Sequence, residues 1–140
     1  YWRADAQAAI VGLTPSSTKA HVVRAALESI AYQVQDVLTL MAKDAGVPLQ
    51  HVQADGGAVT NRFLMQFTAD TTGLRVRASR LPELSALGAV FAGLLGRGVY
   101  GSLDALTTLP ADFDDFTPAL PAERVQANYA GWQSAVQRVL

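Results

Sequence analysis

The sequence predicts a single α/β domain in which short strands alternate with amphipathic helices along the chain. Three observations carry this reading. Brief apolar runs bounded by turn residues alternate with longer stretches whose apolar residues recur every three or four positions. Of the 140 residues, 50% are hydrophobic and only 16% charged, which suits a packed core and excludes a disordered segment. A chain of this length buries roughly 68–70% of its unfolded surface, and no repeat or low-complexity tract divides it, so residues 1–140 are read as one domain.

The first apolar run, Ala8 to Leu13 (AAIVGL), is short, contains β-branched residues and ends at Thr14-Pro15, the pattern of a buried strand. Ser16, Ser17 and Thr18 then offer hydroxyls that cap unpaired first-turn N–H groups. From there Val23, Leu27, Ile30, Val34, Val37 or Leu38, and Met41 mark one stripe of a long amphipathic helix, stopped by Gly46 and Pro48. His51 to Asp55 forms a second strand, followed by Gly56-Gly57. A helix carrying Phe63, Leu64 and Phe67 inward ends near Gly73. Leu74, Val76 and Ala78 alternate with Arg75 and Arg77, as in a strand with one polar face. The next helix covers about Leu84 to Leu95. Its small residues Ala86, Gly88, Ala89, Ala92 and Gly93 predict a close approach to a neighbouring element. After a loop rich in Asp and Pro, Val125, Tyr129, Trp132, Val136 and Val139 step by four, three, four and three into a terminal helix. The alternation predicts parallel strand pairing with right-handed crossovers.

Composition narrows the function. A formal net charge of −1 argues against a nucleic-acid backbone binder. The absence of cysteine excludes disulfides, thiolate metal sites and a cysteine nucleophile, and His21 and His51 are not spaced as a ligand pair. The most apolar run, Leu84 to Gly96, is shorter than the ~20 residues of a membrane span. The opening YWRADAQAAIVGL lacks the basic start and cleavage site of a signal peptide, so a reducing, cytoplasmic setting is expected. It also lacks an initiating Met, which reads as a piece of, or a product processed from, a longer chain.

Chemistry is expected at the end of the second strand. In parallel α/β sheets ligands bind beyond the C-terminal strand ends, and Asp55-Gly56-Gly57 sits at one. Glycine admits a ligand close to the backbone, a helix N-terminus follows, and Asn61 stands one turn on with an amide that both donates and accepts. The same residues also describe an ordinary tight turn with Asn61 as a cap. Asp55 is more readily a turn acceptor than a general base. Neither GxxxxGK[ST] nor GxGxxG is present, so a P-loop and the dinucleotide fingerprint are excluded. Arg75, Arg77 and Arg80 read as solvated edge-strand charges. His21 reads as a surface residue, Glu28 and Ser29 as solvated or interhelical, and Tyr129 and Trp132 as core.

Four stretches carry a resemblance: ALESIAYQVQDVL (Ala26 to Leu38), DGGAVTNRFLMQFTAD (Asp55 to Asp70), ALGAVFAGL (Ala86 to Leu94) and NYAGWQSAVQRV (Asn128 to Val139). In this order they resemble the glycerol kinases, a group within the FGGY carbohydrate kinases. The likeness spans nearly the whole chain and is weakest over residues 110–127. It implies the ribonuclease-H-like, actin-like ATPase fold, here the later part of the second lobe with helices packed on a mixed sheet. It also implies transfer of the ATP γ-phosphoryl group to glycerol, giving sn-glycerol 3-phosphate. Gly57 then matches a backbone contact to the nucleotide and Asn61 a contact to its adenosine end, with Gly56 and Ala58 in the same turn. The catalytic aspartate, the glycerol contacts and the Mg2+-phosphate motifs of that family have no match here, so the 140 residues alone are expected to be inactive. The first strands of the lobe are likewise unmatched. That leaves Ala8 to Leu13 as an expected open edge for self-association, alongside a homo-oligomer for the longer chain. Two alternatives stay open: an FGGY kinase for another polyol or sugar, and a non-catalytic binding or assembly module of the same fold.

Overall fold

The computed structural model describes residues 5, 7–81, 83–109 and 111–140. Helix α1 (Lys19–Ala45) leads through a turn to strand β1 (His51–Ala54), a 3-10 turn (Gly57–Thr60) and helix α2 (Arg62–Thr72). Strand β2 (Arg75–Ser79), helix α3 (Leu84–Gly96), the short α4 (Leu103–Thr107), strand β3 (Phe113–Phe116) and helix α5 (Ala122–Val136) follow. The three strands form one mixed sheet in the order β1-β2-β3. β1 lies parallel to β2 with Val52 beside Val76, and β3 lies antiparallel to β2 with Phe116 beside Val76.

The C-terminal ends of α1 and α2 have a local cause. Gly46 and Gly73 close α1 and α2 in the left-handed conformation at φ 67° and 69°, where their N–H groups return to Ala42 and Ala69 carbonyls. The pleat sends Val76 and Ala78 to the covered face, where they meet Leu64, Met65, Phe67 and Ala69 of α2 and Ala31 and Tyr32 of α1. Tyr32 stands edge-on to Phe67 with ring centres 5.5 Å apart, and stacks on Trp132 of α5 at 5.6 Å.

Two carboxylates fasten α5 to this core. Asp70, buried on α2, accepts from the backbone N–H groups of Ala119 (2.7 Å) and Leu120 (3.3 Å) and from Gln66 Nε2 (3.0 Å). Asp36 on α1 accepts from the Tyr129 hydroxyl and, at 2.9 Å, from Trp132 Nε1. Tyr129 and Trp132 thus belong to the packed face of α5, as their spacing predicts.

The structure departs from the sequence pattern in five places. Residues 8–13 form no strand and lie exposed, so among the described residues the sheet edges are β1 and β3 and that segment supplies none. The Asp/Pro-rich loop holds β3, whose pairing with β2 makes the sheet mixed, and a short helix before it. β2 is consequently the central strand, and its arginines are not edge charges. The expected stripe on α1 only borders the face that meets α2, with Val23 and Leu27 beside Phe63. Val23, Ile30, Val37 and Met41 are exposed, while the buried residues are Ala31 and Tyr32. Helix α3 buries none of its residues, and a Cβ built at Gly88 or Gly93 meets nothing within 4 Å, so the close approach expected there does not occur.

Candidate functional site

The residues that the sequence singles out come together at the C-terminal end of β1. The strand stops at Ala54, Asp55 is exposed, and the chain bends at Gly56, whose φ of 85° and ψ of −176° lie in a region essentially reserved for glycine. Gly57 to Thr60 then wind one 3-10 turn. Val59 N–H bonds the Gly56 carbonyl at 3.2 Å, Asn61 N–H bonds Ala58 at 3.1 Å, and the Thr60 hydroxyl donates to the Gly57 carbonyl at 2.9 Å. Val59 packs against the core and holds the turn down. Gly57 and Ala58 stay exposed on its outer side.

The two glycines have different causes. Gly56 is required by the backbone, because an L side chain at that φ is strained. Gly57 has no positive φ, and a Cβ there would have no neighbour within 4 Å. Nothing within the described chain requires glycine at position 57. The expected role of that glycine, clearing space for a ligand, therefore has no internal rival.

Asn61 is half-buried and caps α2: its Oδ1 accepts from Leu64 N–H at 3.1 Å. The turn interpretation of this side chain is thus realised in its oxygen. The amide nitrogen carries two further N–H donors and has no acceptor among the described residues, so capping and ligand contact are compatible. Beside it, Gly57 leaves backbone accessible. The arrangement can present donors and an unobstructed backbone to a polar, planar or phosphorylated group at a helix start.

The remaining candidates lie elsewhere and are engaged in structure. Arg80 bridges Asp112 at 3.0 Å and Asp114 at 2.6 Å, and its hydrogen bond holds the Asp114 carboxyl below the usual carboxylate range. Arg77 pairs with Asp115 at 3.6 Å and lies over the Phe113 ring at 4.4 Å. Glu28 pairs with Arg24 on its own helix at 2.6 Å, and the Ser29 hydroxyl donates to the Ala26 carbonyl. Burial, with the Glu28 charge adding to it, pushes the Tyr32 phenol up, which keeps it neutral in the core. His21 is exposed, as expected, and accepts from Thr18 N–H through Nδ1 at 3.0 Å. Nothing in the sequence distinguishes Asp36 and Asp70 from other carboxylates. Only their partners, 93 and 49 residues further on, reveal what they do.

Two cavities are formed by other faces. One of about 620 Å3 lies between Ala9–Val11, α1 and α5, and one of about 440 Å3 runs along Lys19, Val23, Leu27 and Phe63. Neither includes the glycine turn. Among the described residues, no group of three or more His, Asp or Glu is placed to hold a metal ion, and no helix is long and apolar enough to cross a membrane.

Comparison with known proteins converges on one family. The profile of the FGGY family of carbohydrate kinases, C-terminal domain, matches residues 1–96. A glycerol kinase of Shewanella frigidimarina is 48% identical over 139 residues, and one of Xanthomonas euvesicatoria pv. vesicatoria 43% over 140. These matches cover 99% and 100% of this chain but 28% of each relative, so the chain spans little more than a quarter of their length. Among solved structures, Plasmodium falciparum glycerol kinase with ADP superposes with a TM-score of 0.86 at 32% identity, covering 99% of this chain and 28% of that one. Xylulose kinase from Rhodospirillum rubrum gives a TM-score of 0.69 at 26% identity over 91% of this chain and 27% of its own. The mixed sheet with its helices is therefore that of the FGGY kinases, which share the actin-like, ribonuclease-H-like fold. With a family profile matched over residues 1–96 and relatives along nearly its whole length, the chain belongs to the FGGY family of carbohydrate kinases, C-terminal domain.

Proposed function

We propose that this chain is the nucleotide-side part of an ATP-dependent glycerol kinase, with Gly56, Gly57, Ala58 and Asn61 forming the surface that receives the adenosine end of ATP or ADP. The observation that carries the proposal is the turn after β1. One glycine is explained by backbone conformation and the next is not, and they are followed at the start of α2 by an amide whose donors meet no acceptor among the described residues. The reading is supported by the 43–48% identity to glycerol kinases and by the likeness to a glycerol kinase solved with ADP.

In this reading the chain binds and orients one substrate and does not carry out the chemistry. Phosphoryl transfer rests on groups assembled around the phosphates and on bound Mg2+. Asp112, Asp114 and Asp115, around β3, are instead committed to arginines. Activation of the glycerol hydroxyl, the glycerol contacts and the Mg2+ ligands belong in the proposal to residues outside these 140, and the 140 residues alone are inactive. A cytoplasmic setting and a homo-oligomeric state of the longer protein complete it.

Calorimetry on the protein at its natural length tests the site. Asn61→Asp retains an oxygen for the α2 cap and removes the amide donors. ATP affinity is expected to fall by ~1–3 kcal/mol with folding stability nearly unchanged. Asn61→Ala loses both functions. Unaltered affinity in Asn61→Asp would return Asn61 to capping alone. A panel of polyols and sugars offered with ATP tests the acceptor, with glycerol expected to be preferred.

A further inference from the structure

The 3-10 turn after β1 sorts its side chains by geometry. With three residues per turn, positions i and i+3 stand above one another. Gly57 and Thr60 therefore share one side of the turn, Ala58 takes a second and Val59 the third. Gly57, Ala58 and Thr60 are exposed, whereas Val59 is half-buried and packs against the core. Among Gly57–Thr60 it alone does so.

We propose that Val59 is a positioning residue for the nucleotide, an inference that rests on the reading of this turn as the nucleotide surface. The turn is tied at both ends. Gly56 supplies a bend at φ 85°, and Asn61 Oδ1 joins the far end to α2 through Leu64 N–H at 3.1 Å. Its internal hydrogen bonds run from Val59 N–H to Gly56, from Asn61 N–H to Ala58 and from the Thr60 hydroxyl to Gly57. These bonds set the shape of the turn but not its rotation relative to the sheet. Val59 sets that rotation, because its apolar side chain leaves water only when it points inward. With Val59 inward, Gly57 and Ala58 face outward, where the ligand meets them.

Val52 of β1 is the matched control within the same molecule. It is the same residue type, likewise half-buried and packed against the same core. Its segment, however, is held by the ladder to β2, where it lies beside Val76. Truncating Val52 removes apolar burial and leaves the strand in register. Truncating Val59 removes the contact that orients its segment. The two valines therefore contribute alike to stability and differently to the ligand.

Calorimetry with ATP and denaturant melts on the protein at its natural length test this. Val59→Ala and Val52→Ala truncate the side chain equally, and both should lower the melt midpoint by a similar margin. Only Val59→Ala should weaken ATP binding, by roughly threefold to tenfold, the cost of ordering a loosened segment on binding. Unchanged ATP affinity in Val59→Ala would overturn the proposal. So would an equal loss in Val52→Ala, which would assign the effect to general destabilisation. If Val59→Ala does not fold, Val59→Thr, which keeps the side-chain shape but carries a hydroxyl, decides by the same criteria. Asn61→Asp measured alongside separates this inference from the site itself. A loss in Asn61→Asp without one in Val59→Ala removes the role of Val59 alone, and no loss in either removes both.

Discussion

Substituting Gly57 by Ala should separate the needs of the fold from those of the ligand, because the two are expected to respond with opposite signs. The added methyl group has no atom within 4 Å and the backbone there is not left-handed, so the folded state accommodates it without strain. Alanine restricts the unfolded chain more than glycine does, so folding stability should rise by ~0.4–1 kcal/mol. If a nucleotide lies against this backbone, the same methyl occupies the space of approach. An overpacked contact typically costs ~1–3 kcal/mol, or about a fivefold to 150-fold loss of ATP affinity. Denaturant melts and calorimetry on the same preparations read both quantities. Gly56→Ala is the control: at φ 85° the substitution is strained, and stability should fall by ~1–3 kcal/mol. A Gly57→Ala protein that is stabilised and binds ATP as tightly as the parent would refute the claim that the ligand requires this glycine.

Two further outcomes follow from the anchoring carboxylates and the arginine cluster. Asp36→Ala removes the acceptor shared by Tyr129 and Trp132, so stability should drop by ~1–3 kcal/mol and the Trp132 indole N–H resonance should move and exchange faster. An unmoved indole resonance would show that α5 is held without that carboxylate. Asp114 is held below the ordinary carboxylate range chiefly by the Arg80 hydrogen bond, so the tie between the end of β2 and β3 is present above that range and is lost as pH falls through the lowered value. Carbon NMR titration of Asp114 should move upward in Arg80→Ala, and an unchanged titration would assign the shift to another source.

The sequence makes visible what local chemistry determines. The turn after β1 is legible because glycine pairs and an Asn cap leave a short-range signature, and the caps Gly46 and Gly73 mark the helix ends for the same reason. The β2 alternation is legible from Val76 and Ala78. β3 is hidden because Phe113-Asp-Asp-Phe116 reads as loop. Its strand character comes from pairing with β2, and its charges find Arg77 and Arg80 across the sheet. Residues 8–13 show the converse. A β-branched apolar run has strand propensity, but with no strand paired to it among the described residues it forms no ladder. On α1 the apolar stripe is broader than the seam, so periodicity identifies a helix without saying which residues face α2. The residue type of Asn61 admits two roles, and geometry divides them between oxygen and nitrogen.

The attachment of α5 has a consequence for the order of folding. Its clasp joins Asp36 to Tyr129 and Trp132 across 93 and 96 residues, whereas β1, α2 and β2 are contiguous in the chain. Closing so long a loop costs entropy before any contact rewards it. The parallel pair with α2 across it is therefore expected to assemble before the terminal helix docks. Substituting Asp36 is then expected to speed unfolding more than it slows folding, as a latch closed late would.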